Sequence, residues 1–154
     1  MPIEDSIGAL SELRDRGLIG NIGVSNVRRD QLARARAAGP IVAVQNRYNL
    51  TARADDNLID QLAAAGIGYV PHGPLDAHPA RADAPLASHP TLAAIARRHG
   101  AIATQIALAW LLQRSPNILL IPGTTSLEHL QHNIAAADIT LTAADLADLD
   151  KAHR

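Results

Sequence analysis

The chain has 154 residues, no cysteine and a formal net charge of −1 at pH 7, with 47% hydrophobic and 19% charged residues. Such a chain is long enough for one domain with a core and too apolar to be disordered; its charge balance argues against a nucleic-acid surface, and the missing thiols exclude a disulfide framework and a thiolate metal site. No apolar run approaches the ~20 residues that cross a bilayer, and the opening MPIEDSIGAL carries acids where a secretory leader carries bases, so a soluble, cytoplasmic protein is expected.

Ile3, Ile7, Leu10 and Leu13 share one helical face behind Pro2, and Gly17 is a natural stop. A short strand follows at Ile22–Ser25, and a helix opens near Asp30 and closes at Gly39. IVAVQ, Ile41–Gln45, is the next apolar strand; a polar loop leads to a helix over 55–66, and 67–71 is strand-like again. A loop rich in Pro, Ala and Asp covers 76–89. Two helical stretches follow, Pro90–His99 and Ala103–Arg114, split by Gly100. The aromatic content is only 2%, with no Phe, so Ala and Leu must fill the core.

The stretch NILLIPGTTSLEHLQHN, 117–133, reads as a short buried strand over 117–121, a stop at Pro122-Gly123, and a helix marked by Leu127, Leu130 and Ile134. One of Thr124, Thr125 and Ser126 is expected to cap that helix. Backbone N–H groups and the positive end of the helix dipole then meet at one spot, which suits an anion; the plainer alternative is an ordinary capped helix after a strand. A last helix is predicted over 142–152. Apolar strands alternating with amphipathic helices imply a parallel sheet covered by helices. The unit length fits βα repeats rather than a short solenoid repeat. No Gly-x-Gly-x-x-Gly follows a strand, so a Rossmann site is unsupported. Four strand–helix units are half the eight of a closed barrel.

Three strand ends carry polar signatures: Gly23-Val24-Ser25-Asn26, Gln45-Asn46-Arg47-Tyr48-Asn49 and Ile121-Pro122-Gly123-Thr124. In this order, with the helix segment Ala107-Leu108-Ala109-Trp110-Leu111-Leu112-Gln113 before the last of them, the chain resembles the C-terminal half of the aldo-keto reductases over essentially its whole length. The resemblance implies an α/β fold of the TIM-barrel type: parallel βα repeats forming four strands of an eight-stranded barrel, a half-barrel preceded and followed by a helix, in one domain over 1–154. It implies NADP(H)-dependent carbonyl reduction at the C-terminal ends of the strands. By that resemblance Ser25, Asn26 and Gln45 would hold the nicotinamide carboxamide, for which Ser, Asn and Gln offer both donors and acceptors; taken singly, Ser25 and Asn26 also suit a turn. His72 would take the place of the aromatic that lies against the nicotinamide, before Gly73 and the pair Pro74-Leu75; the alternative is a loop histidine with no ligand. Ile121, Gly123, Thr124, Thr125 and Ser126, with His129 and Asn133 at helical spacing, would take the adenosine end. Members that use NADP commonly place a Lys and an Arg against the 2′-phosphate, and this chain has Gly123 and His129 there, so NAD(H) stands as an alternative cofactor.

The family's catalytic Asp, Tyr, Lys and His belong to the first four strands of the barrel, and none is assigned in this chain. Its only lysine is Lys151, in the last helix. Tyr69 lies within an apolar strand and reads as core, whereas Tyr48, beyond Gln45, could face the pocket. His129 and His132 stand three apart without the His-Glu-x-x-His pattern, so they read as a solvated helix face and no metal is expected. Asp55/Asp56 and Asp145/Asp148 read as helix-start charges complementing the dipole; Arg28/Arg29 and Arg97/Arg98 read as solvated helix faces. Two functional readings follow. One is a truncated reductase, inactive alone, whose small carbonyl substrate is handled only when the missing half is supplied. The other is a standalone half-barrel that binds a nucleotide or a protein, pairing through its open sheet edges with a second copy or with a complementary N-terminal half.

Overall fold

The computed structural model describes residues 1–76, 86 and 88–152. The elements run α1 (Ile3–Asp15), β1 (Ile22–Ser25), α2 (Arg29–Ala38), β2 (Ile41–Gln45), α3 (Asp56–Ala64), β3 (Gly68–Tyr69), α4 (Pro90–His99), α5 (Ala103–Arg114), α6 (Leu127–Ala135), a 3₁₀ turn (Ala136–Asp138) and α7 (Ala143–Ala152). The strands form one open parallel sheet in the order β1-β2-β3. The element order matches the sequence pattern, and most of the loop at 76–89 lies outside the described residues.

The two faces of the sheet differ. Val24, Val44, Tyr69 and Ile118 fall in one row across the strands and point into the helices, where Val44 and Tyr69 are fully buried. Gly23, Ala43 and Gly68 form the neighbouring row on the opposite, open face. A Cβ on Gly23 would come within 3.2 Å of the Ala43 carbonyl oxygen, so the strands approach there at the expense of a side chain.

Helix α5 is the centre of the core. Every residue from Gln105 to Leu111 is buried, as expected for a helix enclosed on all sides. Gln105 reaches back to accept from the Ile102 N–H at 3.1 Å, closing the first turn. Trp110 stacks on Tyr48 at 5.8 Å, and Tyr48 meets Tyr69 edge-on at 5.9 Å, so the chain's one Trp and both its Tyr share one cluster. Helix α1 packs on α2 where Gly39 lets them close: a Cβ there would meet Ile7 and Ser11 at 2.8 Å.

Four expectations change. The strand at 67–71 shortens to Gly68–Tyr69. The fourth strand, at 117–121, is reduced to a single parallel bridge between Tyr69 and Ile118, carried by Tyr69 N–H to Asn117 O at 2.8 Å and Leu119 N–H to Tyr69 O at 2.9 Å. It is not a buried strand: Leu119 is 65% and Ile121 44% exposed. A two-residue neighbour offers one ladder step, and Pro122 has no N–H to continue it. The carboxylates of Asp55, Asp56 and Asp145 do more than complement helix dipoles. Asp55 accepts from Asn46 Nδ2 at 2.8 Å and from the Tyr69 hydroxyl at 2.9 Å; Asp56 accepts from the Tyr48 hydroxyl at 2.5 Å and pairs with Arg114 and Arg53. Asp145, only 2% exposed, accepts from Arg98, from His99 Nε2 at 2.9 Å and from the Thr142 N–H and hydroxyl at 3.0 and 2.8 Å, fastening α7 to α4. Arg98 is therefore not a purely solvated side chain. Burial pushes the Asp145 carboxyl up, but the hydrogen bonds from Arg98, His99 and Thr142 outweigh it and hold the group well below the usual carboxylate range.

Candidate functional site at the strand ends

Because the three strands are parallel, their C-terminal ends meet on one side, and the residues just past them form a mouth. Ser25 ends β1. Asn26 follows with φ 53°, a left-handed conformation that Asn tolerates better than most residues. Its N–H donates to the Gln45 carbonyl at 2.9 Å, its Nδ2 to Ser25 Oγ at 3.3 Å, and its Oδ1 meets His72 Nε2 at 2.8 Å. Ser25, Asn26, Gln45 and His72 thus come together. The half-buried Gln45 side-chain amide makes no hydrogen bond among the described residues, leaving a donor and an acceptor for a ligand amide.

A groove of about 550 Å³ opens beside this cluster. Gly73, Pro74 and Leu75 line one wall, and Ile121, Pro122, Gly123, Thr124 and Thr125 the other. The strand-end residues proposed from sequence for the two ends of a dinucleotide therefore lie on a continuous path, joined at His72-Gly73. Three further residues assigned to the adenosine end stand at α6, and the cap expected on that helix is one of them. Ser126 caps α6, its Oγ accepting from the His129 N–H at 3.3 Å, while its own N–H donates to Thr124 Oγ1 at 3.1 Å. Asn133 donates to the Pro122 carbonyl at 3.3 Å and so braces the wall from behind. His129 is exposed on α6. None of the three lines the groove.

Tyr48 corrects the sequence reading outright. It does not face the mouth; it is fully buried on the helix side beneath Trp110, because its position in the turn after β2 sends the ring into the core. Burial, and then the hydrogen bond to Asp56, pushes its phenol far above its ordinary value; burial and the neighbouring Asp55 do the same to Tyr69. Lys151 pairs with Asp148 on α7 at 3.7 Å, away from the strand ends. His132 is half-buried, with its Nδ1 covered and without a hydrogen-bond partner, and no group of three metal-ligating side chains occurs among the described residues.

Three residues of the polar signature after β2 were given no role by the sequence pattern. Arg47 stands on the rim, bridged to His72 by backbone and paired with Asp76 at 2.7 Å. Asn46 and Asn49 are buried beneath it. Two asparagines three apart just past an apolar strand are the only signal the sequence carries of their role, since a buried amide needs several partners.

The profile of the aldo/keto reductase family matches residues 1–154. The chain belongs to the aldo/keto reductase family. It is 50% identical over 152 residues to the pyridoxine 4-dehydrogenase of Escherichia coli (strain K12), an alignment covering 99% of this chain and 51% of that protein. Among solved structures it is similar to a thermostable aldo-keto reductase in complex with the inhibitor epalrestat, with a TM-score of 0.86 at 34% identity over 99% of this chain and 55% of that one. It is also similar to an aldo/keto reductase from Klebsiella pneumoniae in complex with NADP and acetate, with a TM-score of 0.88 at 27% identity over 99% of this chain and 55% of that one. The chain spans about half the length of the curated relatives it matches, 51%, 48% and 51% of the first three. The open parallel sheet thus corresponds to about half of an aldo/keto reductase chain, and no described helix is long and apolar enough to cross a membrane.

Proposed function

We propose that this chain is the cofactor-holding half of an aldo/keto reductase: an NAD(P)H-binding segment of a carbonyl oxidoreductase that turns over only with a proton donor supplied from outside these 154 residues. The observation that carries the reading is the convergence of Ser25, Asn26, Gln45 and His72 at one mouth beside the groove between Gly73–75 and 121–125. Bound there, a reduced nicotinamide would supply a hydride to a carbonyl carbon. The chain's residues would hold the carboxamide through Ser25, Asn26 and Gln45, place the His72 imidazole against the ring, and pass the phosphates along the groove. Carbonyl reduction also needs a proton. The family's acid is a tyrosine, and both tyrosines here are buried on the helix side with their phenols driven upward, so the donor must come from elsewhere.

The adenosine end supports dual cofactor use. Gly123 carries no side chain and His129 lies outside the groove, so the charge-assisted contacts that favour a 2′-phosphate, each worth about 1.5–3 kcal/mol, are missing. Titration of the pure protein with NADPH and NADH tests both points. Weak binding, with dissociation constants of about millimolar or somewhat below and differing by less than about tenfold between the two, is expected, together with no NADPH oxidation on a panel of small aldehydes. Clear turnover by the protein alone would overturn the division of labour; no binding at millimolar cofactor would overturn the cradle itself.

A second reading, a half-barrel that associates through its open side, rests on a separate observation. Helix α6 has no buried residue, with Leu127 at 70% and Ile134 at 66% exposure, and Leu119 and Ile121 are exposed at the sheet edge. Exposed apolar side chains and an open strand edge suit either a second copy or a complementary half-barrel. Light scattering of the pure protein separates these occupants: a dimer selects the former, and a monomer that is captured by a separately made N-terminal half of a relative selects the latter.

A further inference from the structure

We infer that Asn46 and Asn49 are positioning residues that set the geometry of the nicotinamide end of the mouth; the inference rests on the cofactor reading above and assigns the groups that aim it. The sheet does so only in part: past the ladder, the Asn26 N–H still donates to the Gln45 carbonyl and one backbone bridge joins Arg47 to His72. The β1-β2 ladder stops at Ser25 and Gln45, and the side chains that would meet a carboxamide and ring lie at or beyond that point. Asn26 and Gly73 both have positive φ, 53° and 64°, so each loop turns away from strand geometry where it must be aimed.

Side-chain amides supply the remaining ties. Asn46 is buried, and its Oδ1 accepts from the Val27 N–H at 3.0 Å while its Nδ2 donates to the Val27 carbonyl at 2.9 Å. Both polar groups of the residue after Asn26 are thus held by one amide, as a neighbouring strand would hold them. The same Nδ2 donates to Asp55 Oδ2 at 2.8 Å, and Asp55 is held in turn by the Tyr69 hydroxyl at 2.9 Å. A carboxylate only accepts, so Asp55 fixes which way the Asn46 amide faces. Asn49 is fully buried. Its Oδ1 takes the Thr51 N–H at 3.0 Å, the Thr51 hydroxyl at 3.0 Å and the Ala52 N–H at 2.9 Å, which leaves Nδ2 to donate across the loop to the Gly73 carbonyl at 2.8 Å.

The two amides act on opposite arms of one contact. Asn46 holds the β1 loop through Val27, and Asn49 holds the β3 loop through Gly73. Between them the Asn26 Oδ1 meets His72 Nε2 at 2.8 Å, and the His72 backbone N–H donates to the Asn46 carbonyl at 2.9 Å. The pairing of Asn26 with His72 is therefore set from the β2–α3 loop, by groups that touch no ligand themselves.

Two variants separate this from ordinary loop stability. Asn49→Asp keeps the oxygen that Thr51 and Ala52 use and replaces the donor to Gly73 with an acceptor that the Gly73 carbonyl repels. Asn46→Ala frees Val27. Nitrogen-15 NMR of wild type and variants reads the His72 ring and the Asn26 amide without any cofactor, and titrations with NADPH and with adenosine 2′,5′-bisphosphate read the two ends of the site. The expected result is that both variants move the His72 ring signals, and that Asn46→Ala weakens NADPH about fivefold while adenosine 2′,5′-bisphosphate changes by less than about twofold. Equal weakening of both ligands, or unchanged His72 and Asn26 signals in two folded variants, would overturn the inference. Should wild type bind neither ligand, the cofactor reading fails and the role as positioning residues fails with it; shifted His72 signals would then show only that the amides order the loops. Should Asn46→Ala not fold, Asn49→Asp is decided on the same His72 signals and on loss of NADPH affinity.

Discussion

The first three strand ends and the fourth are written in the same style, an apolar run and then a short polar signature, yet they fold differently. At Ser25-Asn26, Gln45-Asn49 and His72-Gly73 each loop is tied to the next by side chains: Asn46 to Val27, Asn49 to Gly73, Asn26 to His72. At 117–121 the ties are two backbone bonds with Tyr69 and one from the Asn117 side chain to the Ile67 carbonyl at 2.8 Å, and Leu119 and Ile121 remain exposed. The β1 end, like the fourth, has a strand neighbour on one side only; what shapes it is the set of side chains, Asn46 and His72, that reach it from the next two loops. The same contrast runs through the helices. Helix α5 is buried from Gln105 to Leu111, whereas α6 buries nothing.

Substitutions on the two sides should break the molecule very unequally. Leu108→Ala, in the fully enclosed α5, should cost about 4 kcal/mol, the upper part of the usual range because the site cannot collapse; urea unfolding measures it. Asp145→Ala should cost about 3 kcal/mol, the lower end for a broken buried ion pair, because Arg98 is half exposed and rehydrates while the Thr142 N–H loses its acceptor. This pair also has a pH signature. The folded-state pKa of Asp145 is depressed, so its contribution is complete above the unfolded carboxylate value of about 4 and is lost as pH falls below it toward the folded value. Thermal melts between pH 7 and pH 2 should therefore show a steeper acid limb in wild type than in Asp145→Asn. Gly39→Ala should cost about 1–3 kcal/mol by forcing Ile7 and Ser11 back; its φ of −178° is ordinary extended backbone, so crowding alone decides the effect. Ile134→Ala, on the exposed face of α6, should move the isolated chain by less than about 0.5 kcal/mol. A loss of several kcal/mol at Ile134 would show that the α6 patch is covered in solution and would erase the contrast.

Much of this was legible in the sequence. IVAVQ gave its strand from composition alone, and Pro90–His99 and Ala103–Arg114 stand where the periodicity and Gly100 set them, with Gly100 in the left-handed C-cap conformation at φ 60°. The polar signatures pointed to the mouth because they close strands that run the same way. Tyr48 was misread since spacing from a strand end does not say which side a turn residue takes, and that choice was made by Trp110 and Asp56, far along the chain or across a helix start. The run ILLI looked like a buried strand because apolar side chains advertise burial whether or not a neighbour is there to provide it. Asn46, Asn49 and the Arg98–Asp145 clamp depend on partners with no sequence period, so only the fold reveals them.

The cluster of Trp110 and Tyr48 has a practical consequence. With one indole in the whole polypeptide, stacked at 5.8 Å on a phenol and capped by the Arg53 guanidinium at 5.0 Å, the protein carries its own optical gauge. Near-ultraviolet excitation of the indole interrogates a single address, between the β2–α3 loop and the spine of α5, so a red-shifted emission signals that this seam has parted and water has entered.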